Sequence, residues 1–244
     1  MPPGRRTGAG DLNRFLPAAF GLLATLLPLT VRAADEPLAA SYDRLLAVHD
    51  YGTLAARIKA AMEAEPSVAP TLTWERERFA MGAPTFVGAI YALDLLAVGR
   101  GTKDEAAGLR MRENAVLVAL YTIAVIETDG VRCADPVALD ARRRQYAQLL
   151  RPAWAELGAL PDEAVEGLLG RALAEEALRA DARAPDDYLC RGRTADIPDS
   201  IAEKATEQEP RFLSAAEAAP KAASARAGLP ITLTEFAARM KQGH

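Results

Sequence analysis

Residues 101–133 read GTKDEAAGLRMRENAVLVALYTIAVIETDGVRC, and the fold follows from how that stretch must be housed. Thr102, followed three residues later by Glu105, is a capping-box pattern for a helix start. Gly130 is the residue type that closes helices in the left-handed conformation. About 27 residues lie between these signals, or ~40 Å of helix. From Ala115 to Ile126 every side chain except Tyr121 and Thr122 is apolar, whichever face it occupies. A helix that is apolar all round has to be wrapped by other helices. Twelve such residues fall short of the ~20 that a bilayer span needs, so a buried core helix is predicted.

The flanking chain supplies the wrapping. Upstream, Leu72 to Gly99 is helical in pattern, with an interruption at Gly82-Ala83-Pro84. Its first part, Thr73-Trp74-Glu75-Arg76-Glu77-Arg78, alternates charges and reads as having a solvated face. Its second part is apolar apart from Asp94, which is predicted to meet Arg110 or Arg112 across an antiparallel pair joined by Gly99-Arg100-Gly101. A charge at mid-span also argues against a membrane hairpin. Leu38–His49 and Thr53–Glu65 form two shorter helical patterns, which Pro66 and Pro70 should close. Downstream, Asp135 and Pro136 open a helix that Pro152 should kink. Gly158 ends it, and Pro161-Asp162-Glu163 opens another that carries Arg179 and Arg183 near its end.

Beyond Cys190 the composition turns to Ala, Glu and Pro, so Arg191–Gly228 reads as short helices or an irregular arm. A last amphipathic helix carries Leu233, Phe236, Ala237 and Met240, with Thr232 and Glu235 spaced as a second capping box. No segment shows strand alternation. The prediction is an all-α fold: a roughly orthogonal bundle of six or seven helices in residues 34–192 around a buried central helix, with a C-terminal arm in residues 193–244.

The first 33 residues belong to an address rather than to this core. Arg5, Arg6 and Arg14 form a basic start, Phe15–Leu29 an apolar run, and Val31-Arg32-Ala33 a cleavage site, which together read as a signal peptide. The chain carries a net charge of −4, and losing residues 1–33 makes the remainder more acidic still. Nucleic acid and anionic membrane surfaces are poor partners for such a chain. After cleavage no membrane span is expected, and the location is periplasmic or secreted.

Cys133 and Cys190 are the two cysteines of the chain. In an oxidising compartment they read as a disulfide, worth about 4 kcal/mol on the chain-entropy account. There is no C-x-x-C, and two cysteines with two distant histidines make no zinc site, so neither metal nor cofactor is called for. Nucleophile-elbow, zincin, phosphate-loop and dinucleotide motifs are all missing from the sequence. His49, beside Asp50 at a helix end, reads as a surface or capping residue.

The electrostatic oddity lies at the end of the central helix. Glu127 and Asp129 occupy a last turn whose dipole disfavours anions. They are candidates, with Asp94, for a carboxylate-lined pocket in which Glu127 acts as general acid. The competing reading is that Arg132, or the run Arg142-Arg143-Arg144, neutralises them in a structural network. Two functions remain open: a binding or structural protein of the cell envelope whose partner is an envelope protein or glycan, and a hydrolase of an envelope glycan. The second requires paired carboxyl groups across a cleft.

Overall fold

The computed structural model describes residues 37–191 and 209–242, so the leader predicted in residues 1–33 lies outside the described residues. Those residues form ten α-helices: α1 (Leu38–Ala47), α2 (Tyr51–Met62), α3 (Glu65–Ala80), α4 (Thr85–Gly101), α5 (Glu105–Asp129), α6 (Pro136–Leu149), α7 (Arg151–Ala159), α8 (Asp162–Arg179), α9 (Asp187–Cys190) and α10 (Ala215–Lys241). Among the described residues there is no strand, only an isolated bridge between Cys133 and Phe212. The protein is an all-α bundle, and α5 is its central helix.

Every residue of α5 from Ala115 to Ile126 is buried, and α4, α7, α8 and α10 pack around it. The apolar window is longer than the twelve residues of its fully buried half. Through Arg132 this helix is long and apolar enough to cross a membrane by length and composition, but 83% of that window is buried inside the protein. Its neighbour α4 runs back along it at close range. A Cβ on Gly108 would lie 2.6 Å from the carbonyl oxygen of Gly99, so the two backbones meet where neither has a side chain.

Several local signals resolve differently from their sequence patterns. Asp104, not Thr102, caps α5, its Oδ1 accepting from the Ala107 amide at 3.0 Å. Thr102 turns the other way and donates to Val98 O at 2.7 Å, closing α4. Gly130 has φ −60° and continues into a 3-10 turn, Gly130–Arg132. A Cβ there would lie 2.5 Å from Leu139 Cδ1, so a larger residue would have to displace the Leu139 side chain. The α1–α2 hairpin ends at Met62, ahead of Pro66, but Pro70 closes nothing. Pro66 occupies the first turn of α3, where its missing N–H has no partner to lose, and α3 runs on through Pro70. Pro152 ends a helix rather than kinking it: α6 stops, Leu150 accepts from the Ala153 and Trp154 amides, and α7 begins with Pro152 in its first turn.

The largest difference concerns the C-terminal segment. Residues 215–241 form one continuous helix of 27 residues with Pro220 and Pro230 inside it. Its capping box is Ser214–Glu217, whereas Thr232 is inside the helix and donates to Gly228 O. Ala218, Ala222, Leu229, Leu233 and Ala237 are buried at helical spacing, which outweighs the ladder bonds lost to the two prolines. Phe236 meets Trp154 of α7 edge-to-face at 5.0 Å between ring centroids.

Cys133 and Cys190 are joined as predicted, their Cα atoms 5.0 Å apart. The Ala134 amide donates to Arg211 O at 2.9 Å and the Leu213 amide to Arg132 O at 2.8 Å. The end of α5, the short α9 and the lead-in to α10 are thus tied at one place.

Candidate functional site

The two acids at the end of α5 face different partners. Glu127 is held by both nitrogens of one edge of Arg143, Nε to Oε1 at 3.0 Å and Nη2 to Oε2 at 2.7 Å. The groove beside it has a volume of about 270 Å³ and is lined by Ile123, Ile126, Ala147, Phe236, Arg143 and Arg144, with no second carboxylate. The pairing comes from the run of three arginines in α6.

Asp129 lies in the interior. Arg183 donates Nε to Asp129 Oδ2 at 2.7 Å and Nη2 to Glu176 Oε1 at 2.6 Å, and all three side chains are at most 3% exposed. Thr128 Oγ1 lies 3.1 Å from the same Glu176 oxygen. Arg226 of α10 adds a bond from Nε to Glu176 Oε1 at 3.2 Å. Nη2 of Arg226 and Nη2 of Arg132 each stand 3.7 Å from Asp129 Oδ1. Burial alone would raise the Glu176 pKa, but Arg183 and Arg226 bring it below the ordinary carboxyl range. Desolvation likewise disfavours the Arg183 charge, and its two carboxylates more than restore it. Sequence spacing suggested Arg132; the principal partner, Arg183, is 54 residues from Asp129 and could not be assigned from spacing.

Asp94 does not join them, nor does it meet Arg110 or Arg112. Arg112 pairs with Glu156 at 3.3 Å. The Asp94 carboxyl faces Glu75 of α3, a residue completely shut off from solvent. Among the described residues neither Glu75 oxygen, nor Asp94 Oδ2, has a hydrogen-bond donor. Two carboxylates offer only acceptors, so this pair closes a hydrogen bond only while one of them carries a proton. Burial, the Asp94 charge and the shared bond all push the Glu75 pKa well up. Burial raises Asp94 as well, against the effect of accepting from Glu75. The charge alternation around Glu75 hid this. Thr71, Trp74 and Glu75 are buried while Arg76 and Glu77 are exposed, so one face is solvated and Glu75 is on the other.

A third polar cluster joins α2 to α9. Asp187 receives the Tyr51 hydroxyl on Oδ1 at 2.5 Å, and its Oδ2 lies 2.6 Å from His49 Nδ1 and 3.0 Å from Arg191 Nη2. His49 has φ +57° and a half-exposed ring. A His–Asp pair is one part of a nucleophilic site, but among the described residues no serine, threonine or cysteine bonds to His49. Asp50, not His49, caps α2. Nearby, Asp186 accepts from the Thr85 amide and hydroxyl at 2.8 and 2.6 Å, and burial raises its pKa.

The larger groove, about 460 Å³, lies over the buried arginine cluster. One side is the alanine face of α10 and the other is formed by Pro185, Phe212 and Leu213, with Arg132 and Arg226 in the lining. Among the described residues no group of three or more His, Cys, Asp or Glu side chains is placed to hold a metal ion. No protein-family model, curated protein or solved structure matches the chain.

Proposed function

We propose that the protein is an exported helical binding or structural protein of the cell envelope, periplasmic or secreted, rather than a hydrolase. The observation that carries this reading is the pairing of Glu127 with Arg143 in a groove that holds no second acid. Acid-residue glycoside hydrolysis needs a protonated carboxyl and a second carboxyl roughly 5–10 Å away across the substrate. A guanidinium clamped on both oxygens leaves neither free to meet a substrate, which suits a structural role. Asp129, behind Arg183, is shielded from any substrate. The export part of the reading rests on the basic and apolar start of residues 1–33, with a disulfide that suits an oxidising compartment.

The test is to express the complete chain in a bacterium and fractionate the cells. Intact mass after thiol alkylation should show a chain beginning after Ala33, recovered outside the cytoplasm with both cysteines protected. A full-length cytoplasmic chain with two alkylated thiols would overturn the assignment. Release of reducing sugar from envelope glycan by the purified protein, abolished in Glu127→Gln, would restore the hydrolase.

A further inference from the structure

The charges gathered at the end of α5 do not cancel. Asp129 and Glu176 supply two negative charges, while Arg183, Arg226 and Arg132 supply three positive ones. Arg183 is fully engaged by the two acids. The remaining pair is not: Arg226 is 29% exposed, and Arg132 is 24% exposed and makes no side-chain hydrogen bond among the described residues. Both line the 460 Å³ groove, whose volume falls within the ~300–1,000 Å³ of ordinary ligand sites. One surplus positive charge therefore faces a cavity whose other walls are mostly methyl groups and the Phe212 and Leu213 side chains.

A ligand that complements this surface has one negative charge and an apolar body. The alanine wall also discriminates between kinds of apolar body. A peptide brings an amide donor and acceptor with each residue and needs partners for them. Helix α10 uses its amides internally and presents methyl groups, so a hydrocarbon body fits where a peptide backbone would be left unsatisfied. We propose that the groove binds a monocarboxylate with a medium-length hydrocarbon tail, the carboxylate against Arg132 and Arg226 and the tail along Ala219 and Ala223 of α10. Guanidinium groups suit the carboxylate because their paired N–H donors match its two oxygens.

This deepens the binding reading and rests on it, yet the two can fail separately. Export is read from processing and thiol state in cells, while the ligand is read by calorimetry on the oxidised protein as recovered from cells. The probe is sodium decanoate below its micelle concentration. Expected are 1:1 binding, about three- to fourfold weaker for each carbon removed from the tail, and no measurable heat with acetate. Ala219→Leu fills the exposed groove without touching the core, and Arg132→Gln removes charge without uncovering Glu176. Each should weaken binding at least tenfold with an unchanged melting temperature. No heat with decanoate, equal affinity for decyltrimethylammonium, tighter binding of a tetrapeptide ending in leucine, or wild-type affinity in Ala219→Leu would each overturn the proposal.

Discussion

Arg183 and Glu127 show how burial decides what an ion pair is worth. Removing Arg183 leaves Asp129 and Glu176 charged in the interior with Arg226 and Arg132 as distant or partial substitutes. Arg183→Met should cost about 3–5 kcal/mol in denaturant unfolding, the usual penalty for orphaning buried charge. Glu127→Gln breaks a pair whose partners are 26% and 35% exposed, and should cost only about 0.5–1 kcal/mol. The reverse ranking would mean that the interior network is not the one described. Glu75 makes the opposite kind of contribution because its pKa is raised, not lowered. Below the ordinary carboxyl range both folded and unfolded chains hold its proton, and stability is intact. As pH rises above that range the unfolded chain releases the proton first, so stability declines until the folded group titrates too. The slope is about 1.4 kcal/mol per pH unit for each proton the folded state retains. Urea midpoints from pH 5 to 8 should therefore fall, and Glu75→Gln should flatten that fall while Asp186 keeps a remainder. On the acid side Glu176 works the other way: its lowered pKa gives stability that is lost as pH drops through the folded value.

At the level of elements, α4 and α5 depend on a contact between backbones. Gly108→Ala puts a methyl group against Gly99 O and should destabilise by about 1–3 kcal/mol, as overpacking does. Gly101→Ala, at the end of α4 where nothing lies within 4 Å of a new Cβ, should instead stabilise by about 0.5 kcal/mol. A thermal-melt comparison separates the two; equal effects would show that glycine matters only for backbone freedom. What was legible in the sequence at this scale was decided by hydrophobic pattern. The apolar run 115–126, the starts at Asp135-Pro136 and Pro161, and the apolar side of the last helix all appear where the pattern puts them. What was not legible was decided by long-range packing. Pro70 and the proline-rich composition after Cys190 argued for interruptions because the local cost of proline is visible, whereas the burial of Leu229 and Leu233 against other helices is not. The candidate acids were legible as anomalies, but their partners were not. Arg183 and Glu75 reach Asp129 and Asp94 only after the helices have packed.

For the whole molecule, the question is whether the disulfide and α10 belong to one cooperative unit. The described residues belong to one compact body, and Leu229, Leu233 and Ala237 are part of the same buried cluster as the centre of α5. The bridge closes a sequence separation of 57 residues, and the strand-like pairing at Phe212 anchors the lead-in to α10 beside it. Opening the bridge frees the end of α5 from α9 in the unfolded ensemble, which should lower stability by about 4 kcal/mol on the chain-entropy account. Leu233→Ala deletes a fully buried side chain at the α10 contact and should cost about 2–5 kcal/mol. If the body is one unit, both changes shift a single unfolding transition, and circular dichroism and tryptophan fluorescence from Trp154 beside Phe236 move together. If α10 were a separate arm, Leu233→Ala would leave the main transition in place and add a small, early loss of helix. Combining Cys133→Ser and Cys190→Ser with Leu233→Ala gives the sharpest reading. The bridge acts on the unfolded chain and the leucine on the folded contact, so their costs should add to within about 0.5 kcal/mol. A deficit well beyond that would mean that α10 is held mainly through the tied corner, and that its leucines contribute little once the bridge is open.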